Sequence, residues 1–230
     1  MTCRMNRSET IRFSDNPLFR AIAAWMWLVV VLVLVQIHPA FARRIFGGPL
    51  SSYFEILMAG LIPVLFTICG RDGWSEYGLT RQGFFKSLLG SAVIVALNYG
   101  YSYLSTGHWI QHGILTSTCS FPARMWYALL GLFAYGPLEV FFFLWLVKNI
   151  GDIFRVERRN SFWLGLVVTT TIWGLLHIVA THSLSNALGV SAIFFMFALI
   201  YHYTKNSIGP MIGWTLINNQ AWFLASILWS

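Results

Sequence analysis

Residues 126–147 read WYALLGLFAYGPLEVFFFLWLV and contain one charged side chain, Glu139. A helix rises about 1.5 Å per residue and the hydrocarbon core of a bilayer is about 30 Å thick, so this stretch matches one membrane crossing. The rest of the chain repeats the pattern. Of its 230 residues, 57% are hydrophobic and 10% charged, where a soluble domain carries roughly a quarter charged. Too few polar groups remain to cover a water-facing surface. The 17% of aromatic residues, 11 of them Trp, fits side chains that collect where apolar lipid meets water. A soluble domain is excluded. Uninterrupted apolar runs also argue against a transmembrane barrel, whose strands are about ten residues of alternating polarity.

Working outward, seven segments are long and apolar enough to predict helices: 21–37, 53–69, 84–104, 126–147, 162–180, 188–203 and 208–230. The expected fold is all-α, a polytopic transmembrane helix bundle of about seven spans. It comprises a cytoplasmic tail over 1–20 and a single integral membrane domain over 21–230, since no internal repeat, low-complexity tract or long linker divides the chain. Gly151–Asn160 reads as the main charged cytoplasmic loop and Ser105–Arg124 as the longest loop on the other side.

The basic residues sort across this map. Arg4, Arg7, Arg12, Arg20, Arg71, Arg81, Lys86, Lys148, Arg155, Arg158, Arg159 and Lys205 fall on one side, and Arg43, Arg44 and Arg124 on the other. Cytoplasmic loops carry the excess of Lys and Arg, so the N-terminus is predicted cytoplasmic and the C-terminus opposite. The net charge of +7 thus records topology; the expected partners are membrane lipids and a membrane-associated peptide or protein, not nucleic acid. The start also resembles a signal peptide ending at Pro39-Ala40-Phe41-Ala42, although the polar lead before it is long. Cys3, Cys69 and Cys119 show no metal or disulfide spacing. His108 and His112 share an i, i+4 spacing without a third ligand, which favours an interfacial loop over a metal site.

The chemistry is sought among ionisable groups inside the bilayer, where burying a charge costs at least about 2.5 kcal/mol. Glu9, Asp15, Asp72, Glu76, Asp152 and Glu157 fall in tails or loops and Glu55 near an interface; Glu139 alone lies deep in a helix. The Gly136-Pro137 before it can open the backbone ladder and make room for a polar side chain or water. His177 follows Trp173 by four residues, so the two share a helix face, and Asn218 follows Trp214 by the same interval. A carboxylate and an imidazole brought together can hold a water between them. An indole N–H and an amide suit a developing oxyanion. Alternatively, His177 and Asn218 bond neighbouring backbone or join helices. At about 1.5 Å per residue Glu139 and Asn218 come out at similar depth, with His177 deeper if its helix begins at Phe162.

Glu139 with Phe143, Trp173-x-x-x-His177, and Thr204-Lys205-Asn206-Ser207-Ile208-Gly209-Pro210 leading to Asn218 resemble the ordered motifs of the CPBP intramembrane proteases. That family includes CAAX prenyl endopeptidases and bacteriocin-processing or immunity proteins. The resemblance covers about residues 125–223. It implies Glu139 and His177 as the water-activating pair, with Asn218 and the residue at Trp214 stabilising the oxyanion, and it implies no metal or cofactor. Three positions depart from the family pattern: Val140 replaces a second glutamate, Leu144 an arginine, and Trp214 a histidine. His202-x-x-x-Asn206, a second apparent match to the third motif, sits at a helix end and reads as coincidental.

The function expected is therefore a metal-independent intramembrane endopeptidase of the glutamic type. A non-catalytic binding or immunity factor on the same scaffold is the principal rival, supported by the three departures. A proton-coupled transporter is a third class, although no repeated half is evident.

Overall fold

The computed structural model describes residues 16–37, 56–70, 72–109, 121–154 and 158–229. Its elements, in order, are α1 (Pro17–Ile37), a π turn (Ile56–Gly60) leading into α2 (Leu61–Gly70), and α3 (Phe84–Thr106). There follow α4 (Phe121–Phe133), a second π turn (Ala134–Leu138), α5 (Glu139–Ile153), α6 (Arg158–Thr181), α7 (Leu184–Thr204), α8 (Ile208–Ile217) and α9 (Gln220–Leu228). Among the described residues there is no strand, as the apolar runs require. Among the described residues, three helical stretches are long and apolar enough to cross a membrane: Arg124–Ile153, Asn160–Thr181 and Leu184–Thr204. Residues 38–55 and 110–120, which include the apparent cleavage site, Glu55 and His112, lie outside the described residues.

α5 forms the centre. Val140 through Val147 are all buried, so this helix is enclosed on every face, as expected of one that is apolar all round. Phe142 and Phe143 meet Trp173 of α6 edge-on, Phe143 meets Phe194 of α7, and Phe66 of α2 stacks on Trp145. The outer helices turn large apolar side chains away from the protein: Met26 on α1, Leu89 and Leu104 on α3, Val167 and Leu175 on α6, Leu188 on α7. Such outward apolar surface marks contact with something other than water.

Several boundaries differ from the sequence reading. The expected charged loop over 151–160 shrinks, because α5 runs to Ile153 and α6 starts at Arg158. Arg20, expected in the tail, belongs to the first turns of α1 and is buried. It forms a two-pronged ion pair with Asp72 at 2.7 and 3.2 Å, and Asp72 also accepts a hydrogen bond from the buried Tyr77 hydroxyl. Asp72 therefore does not stay in water. Burial alone raises its pKa, but the hydrogen bonds from Arg20 and Tyr77 and the Arg20 charge outweigh this and hold it below the ordinary carboxylate value.

The last segment, expected as one helix over 208–230, is broken. α8 ends at Ile217 and α9 starts at Gln220, with Asn219 in the left-handed region at φ 60°. Asn tolerates this conformation better than most residues and competes with the helical ladder through its side chain. The freed carbonyl of Leu216 accepts from the Asn219 N–H at 3.0 Å and the Tyr99 hydroxyl at 2.8 Å. At the other end of α8, buried Asn206 donates to Thr80 O and to Gln82 O at 3.1 Å, and accepts from the Ile208 N–H at 3.0 Å. That side chain staples the 78–83 loop to the start of α8.

Candidate functional site

Pro137 lacks the N–H that a regular helix needs and disturbs the ladder before it. The backbone responds with the π turn at Ala134–Leu138, within which Tyr135 leaves helical geometry at φ −85°, ψ 21°. The Glu139 N–H bonds Gly136 O instead of its usual i−4 acceptor, Tyr135 O. Tyr135 O accepts from Asn218 Nδ2 at 3.1 Å. The opening expected at Gly136-Pro137 is thus present, and a side chain from the break in α8 occupies it.

Gly136 permits this meeting. A Cβ built there would lie 1.8 Å from Thr215 Oγ1, so a larger residue would push α8 away. The close approach lets both α8 donors reach the Glu139 carboxylate. Trp214 Nε1–H donates to Oε2, and Asn218 Nδ2 reaches the same oxygen at a longer 3.4 Å. The donors expected to converge on an oxyanion converge here on the carboxylate itself.

His177 enters the same region from α6. Its Nδ1 lies 2.9 Å from Trp173 O; a carbonyl can only accept, so Nδ1 carries a proton, and in the neutral ring Nε2 then presents its lone pair. Among the described residues no hydrogen bond joins His177 to Glu139. Their relative level follows from the antiparallel register of α5 and α6. Gly151 meets Ser161, Val147 meets Gly165, and Phe142 and Phe143 meet Trp173. Glu139 lies one turn before Phe143 and His177 one turn after Trp173, each on the same face as its partner, and between antiparallel helices these steps run in the same direction. The two lie within about one helical turn, roughly 5 Å, of the same height. The earlier depth discrepancy disappears because heights are set by pairing between helices, not by counting from an assumed interface.

Phe194 of α7 completes one wall, with ring centroids 5.0 Å from Phe143, 5.3 Å from Trp173 and 4.7 Å from Trp214. Nothing in the sequence singled it out, since it lies in an apolar run whose inward positions only packing reveals. The departures from the family pattern are core residues: Val140 and Leu144 are each 1% exposed. His202 and Asn206 separate, His202 stacking on Phe162 at 4.0 Å while Asn206 bonds the 78–83 loop. His182, at φ 52°, occupies the turn between α6 and α7, away from Glu139.

The arrangement offers a carboxylate with two α8 donors, an imidazole whose neutral form has a lone pair on Nε2 in the same seam, and an opened backbone beside them. Chemically it suits proton transfer to and from a small polar molecule. No family model, curated protein or solved structure matches this chain.

Proposed function

We propose that this is a multi-pass integral membrane protein with about seven spanning segments, a cytoplasmic N-terminus and a C-terminus on the opposite side, which hydrolyses peptide bonds within the membrane. The outward apolar side chains of α1, α3, α6 and α7 support the membrane reading. The half-length α8, ending at an irregular Asn218-Asn219 turn, is consistent with it, because non-helical backbone at membrane depth is tolerated where protein or a wet cavity encloses it.

The observation that carries the catalytic reading is the meeting of Glu139 and Asn218 at the π turn, in the seam that also holds His177. In this mechanism a water gives one hydrogen bond to Glu139 and the other to His177 Nε2. As its oxygen adds to the peptide carbonyl carbon, its proton passes to Glu139 and the carbonyl π pair becomes an oxyanion. The Asn218 hydrogen that makes the long contact to Glu139 turns to that oxyanion. The intermediate then collapses, the C–N bond breaks, and the proton on Glu139 goes to the departing amine. Such positioned proton transfer contributes about 10²–10⁴-fold, and the scheme calls on no metal or cofactor. The substrate is a membrane-associated peptide or protein.

The test is an assay of purified, reconstituted protein against a library of membrane-anchored peptides. Cleavage by the parent that is lost in Glu139→Gln and His177→Ala supports the reading; cleavage surviving Glu139→Gln sinks it.

A non-catalytic binding or immunity factor is favoured by one specific feature, the direct contact of Trp214 with the carboxylate that a catalytic water would need. Its signature is full biological effect retained by Glu139→Gln.

A further inference from the structure

A cavity of about 460 Å³ lies between the C-terminal half of α3, the N-terminal half of α7 and the α8–α9 break. Its inner wall includes Trp214 and Asn218, the two residues that bond Glu139. Its size falls within the range of small-ligand pockets, roughly 300–1,000 Å³. Asn98, Ser102 and Ser105 of α3 recur at i, i+4 and i+7, a polar stripe on a helix whose other faces carry exposed Leu89, Leu97 and Leu104. Ser185 and Asn186 of α7 face them across the opening, and Asn219 joins at the break.

Among the described residues, every polar group lining this cavity is an amide, hydroxyl or indole, and none is a Lys, Arg, Asp, Glu or His. The contrast is a cavity of about 890 Å³ at the opposite end of α7. Its walls carry Lys148, Lys205, His202, Glu76 and Asp152. Neutral donors and acceptors in this number match the alternating N–H and C=O groups of an extended chain. They offer no counter-charge to a phosphate or a free carboxylate, which would be left desolvated and unpaired.

The orientation follows from connectivity. α3 runs away from the 72–83 loop and α7 returns to it, so the cavity opens at the end remote from that loop. In the topology proposed above, that end is non-cytoplasmic. We infer that this cleft admits an uncharged, extended internal peptide segment from the non-cytoplasmic side and delivers its backbone to Trp214 and Asn218. The inference rests on the hydrolase reading for the fate of the peptide, but not for its binding.

Gly189 supplies a control. It lines the cleft, and a Cβ built there meets nothing within 4 Å. Gly189→Leu would therefore start its side chain in open space and extend it into the cleft. The experiment uses full-length protein with Cys3, Cys69 and Cys119 changed to Ser and a single Asn98→Cys or Ser102→Cys. Right-side-out and inverted vesicles are treated with a membrane-impermeant maleimide. The probe is an acetylated, amidated heptapeptide of Ala, Ser and Leu, compared with the same peptide bearing a free carboxylate.

Labelling is expected from the non-cytoplasmic side, slowed about tenfold when the blocked peptide occupies about nine-tenths of the sites. The carboxylate form should protect less, and Gly189→Leu should abolish protection. Labelling only from the cytoplasmic side, no labelling, no protection, or equal protection by the charged peptide would overturn the inference. Repeating protection in Glu139→Gln separates the two readings. Protection without any cleavage by the parent rejects hydrolysis and keeps the cleft; cleavage without protection rejects the cleft alone.

Discussion

The indole N–H of Trp214 on α8 donates to the carboxylate of Glu139 on α5, so the deepest acidic side chain of the central helix is tied to the helix that breaks beside it. This bond can be removed without removing the ring. Trp214→Phe keeps an aromatic partner for Phe194 and loses the donor. A hydrogen bond to a charged group is worth about 1.5–3 kcal/mol, and a loss of that order is expected in denaturant unfolding of the detergent-solubilised protein. Trp214→His restores a donor that can also exchange protons; under the hydrolase reading its kcat should exceed that of the parent.

Gly136 and Thr215 form a steric pair. Gly136→Ala should destabilise by at least the ~1–3 kcal/mol typical of overpacking, because the new methyl would overlap Thr215 Oγ1. Thr215→Ala removes that oxygen, so the double variant should recover part of the loss. A double-mutant cycle on Tm measures the coupling, and strict additivity would disprove the contact.

His177 should act on turnover more than on binding. Under the hydrolase reading, His177→Ala is expected to lower kcat by about 10²–10⁴-fold with little change in KM, as for loss of a proton-transfer partner. A change confined to KM would assign His177 to substrate contact instead.

Acid should loosen α1. Asp72 is held below its ordinary pKa by Arg20 and Tyr77 against the opposing effect of burial. For a carboxyl depressed in the folded state, the stability is present above the unfolded value, about 3.9, and is lost as pH falls through the folded one. Hydrogen exchange in α1 should therefore rise below about pH 4. Asp72→Asn should show fast exchange already at neutral pH with a flattened pH dependence. Breaking a fully buried ion pair costs about 3–5 kcal/mol; with Asp72 half-buried, the loss here should fall below that range.

Asn206 should matter for stability alone. Asn206→Ala removes the bonds to the Thr80 and Gln82 carbonyls and to the Ile208 N–H, and each net hydrogen bond lost costs about 0.5–1.5 kcal/mol. Tm should fall while, under the hydrolase reading, the kcat of the folded fraction stays unchanged, because Asn206 lies at the start of α8 and Glu139 beside its end.

The amino-acid sequence by itself determined the helical class and the positions of most helices, because mean polarity and run length are local properties of the chain. It also isolated Glu139, since one carboxylate amid apolar residues stands out without any partner being known, and it marked Gly136-Pro137 as the place where the helix opens. Tertiary structure decided the rest. The break at Asn218-Asn219 depends on Tyr99, more than a hundred residues away, taking up the freed Leu216 carbonyl. The ion pair of buried Arg20 with half-buried Asp72 spans 52 residues, a pairing that no local spacing encodes. The direction of the Trp214 N–H depends on how closely α8 approaches Gly136. An isolated helix face says which side chains point together; the atom they point at belongs to another helix, and only packing brings it there.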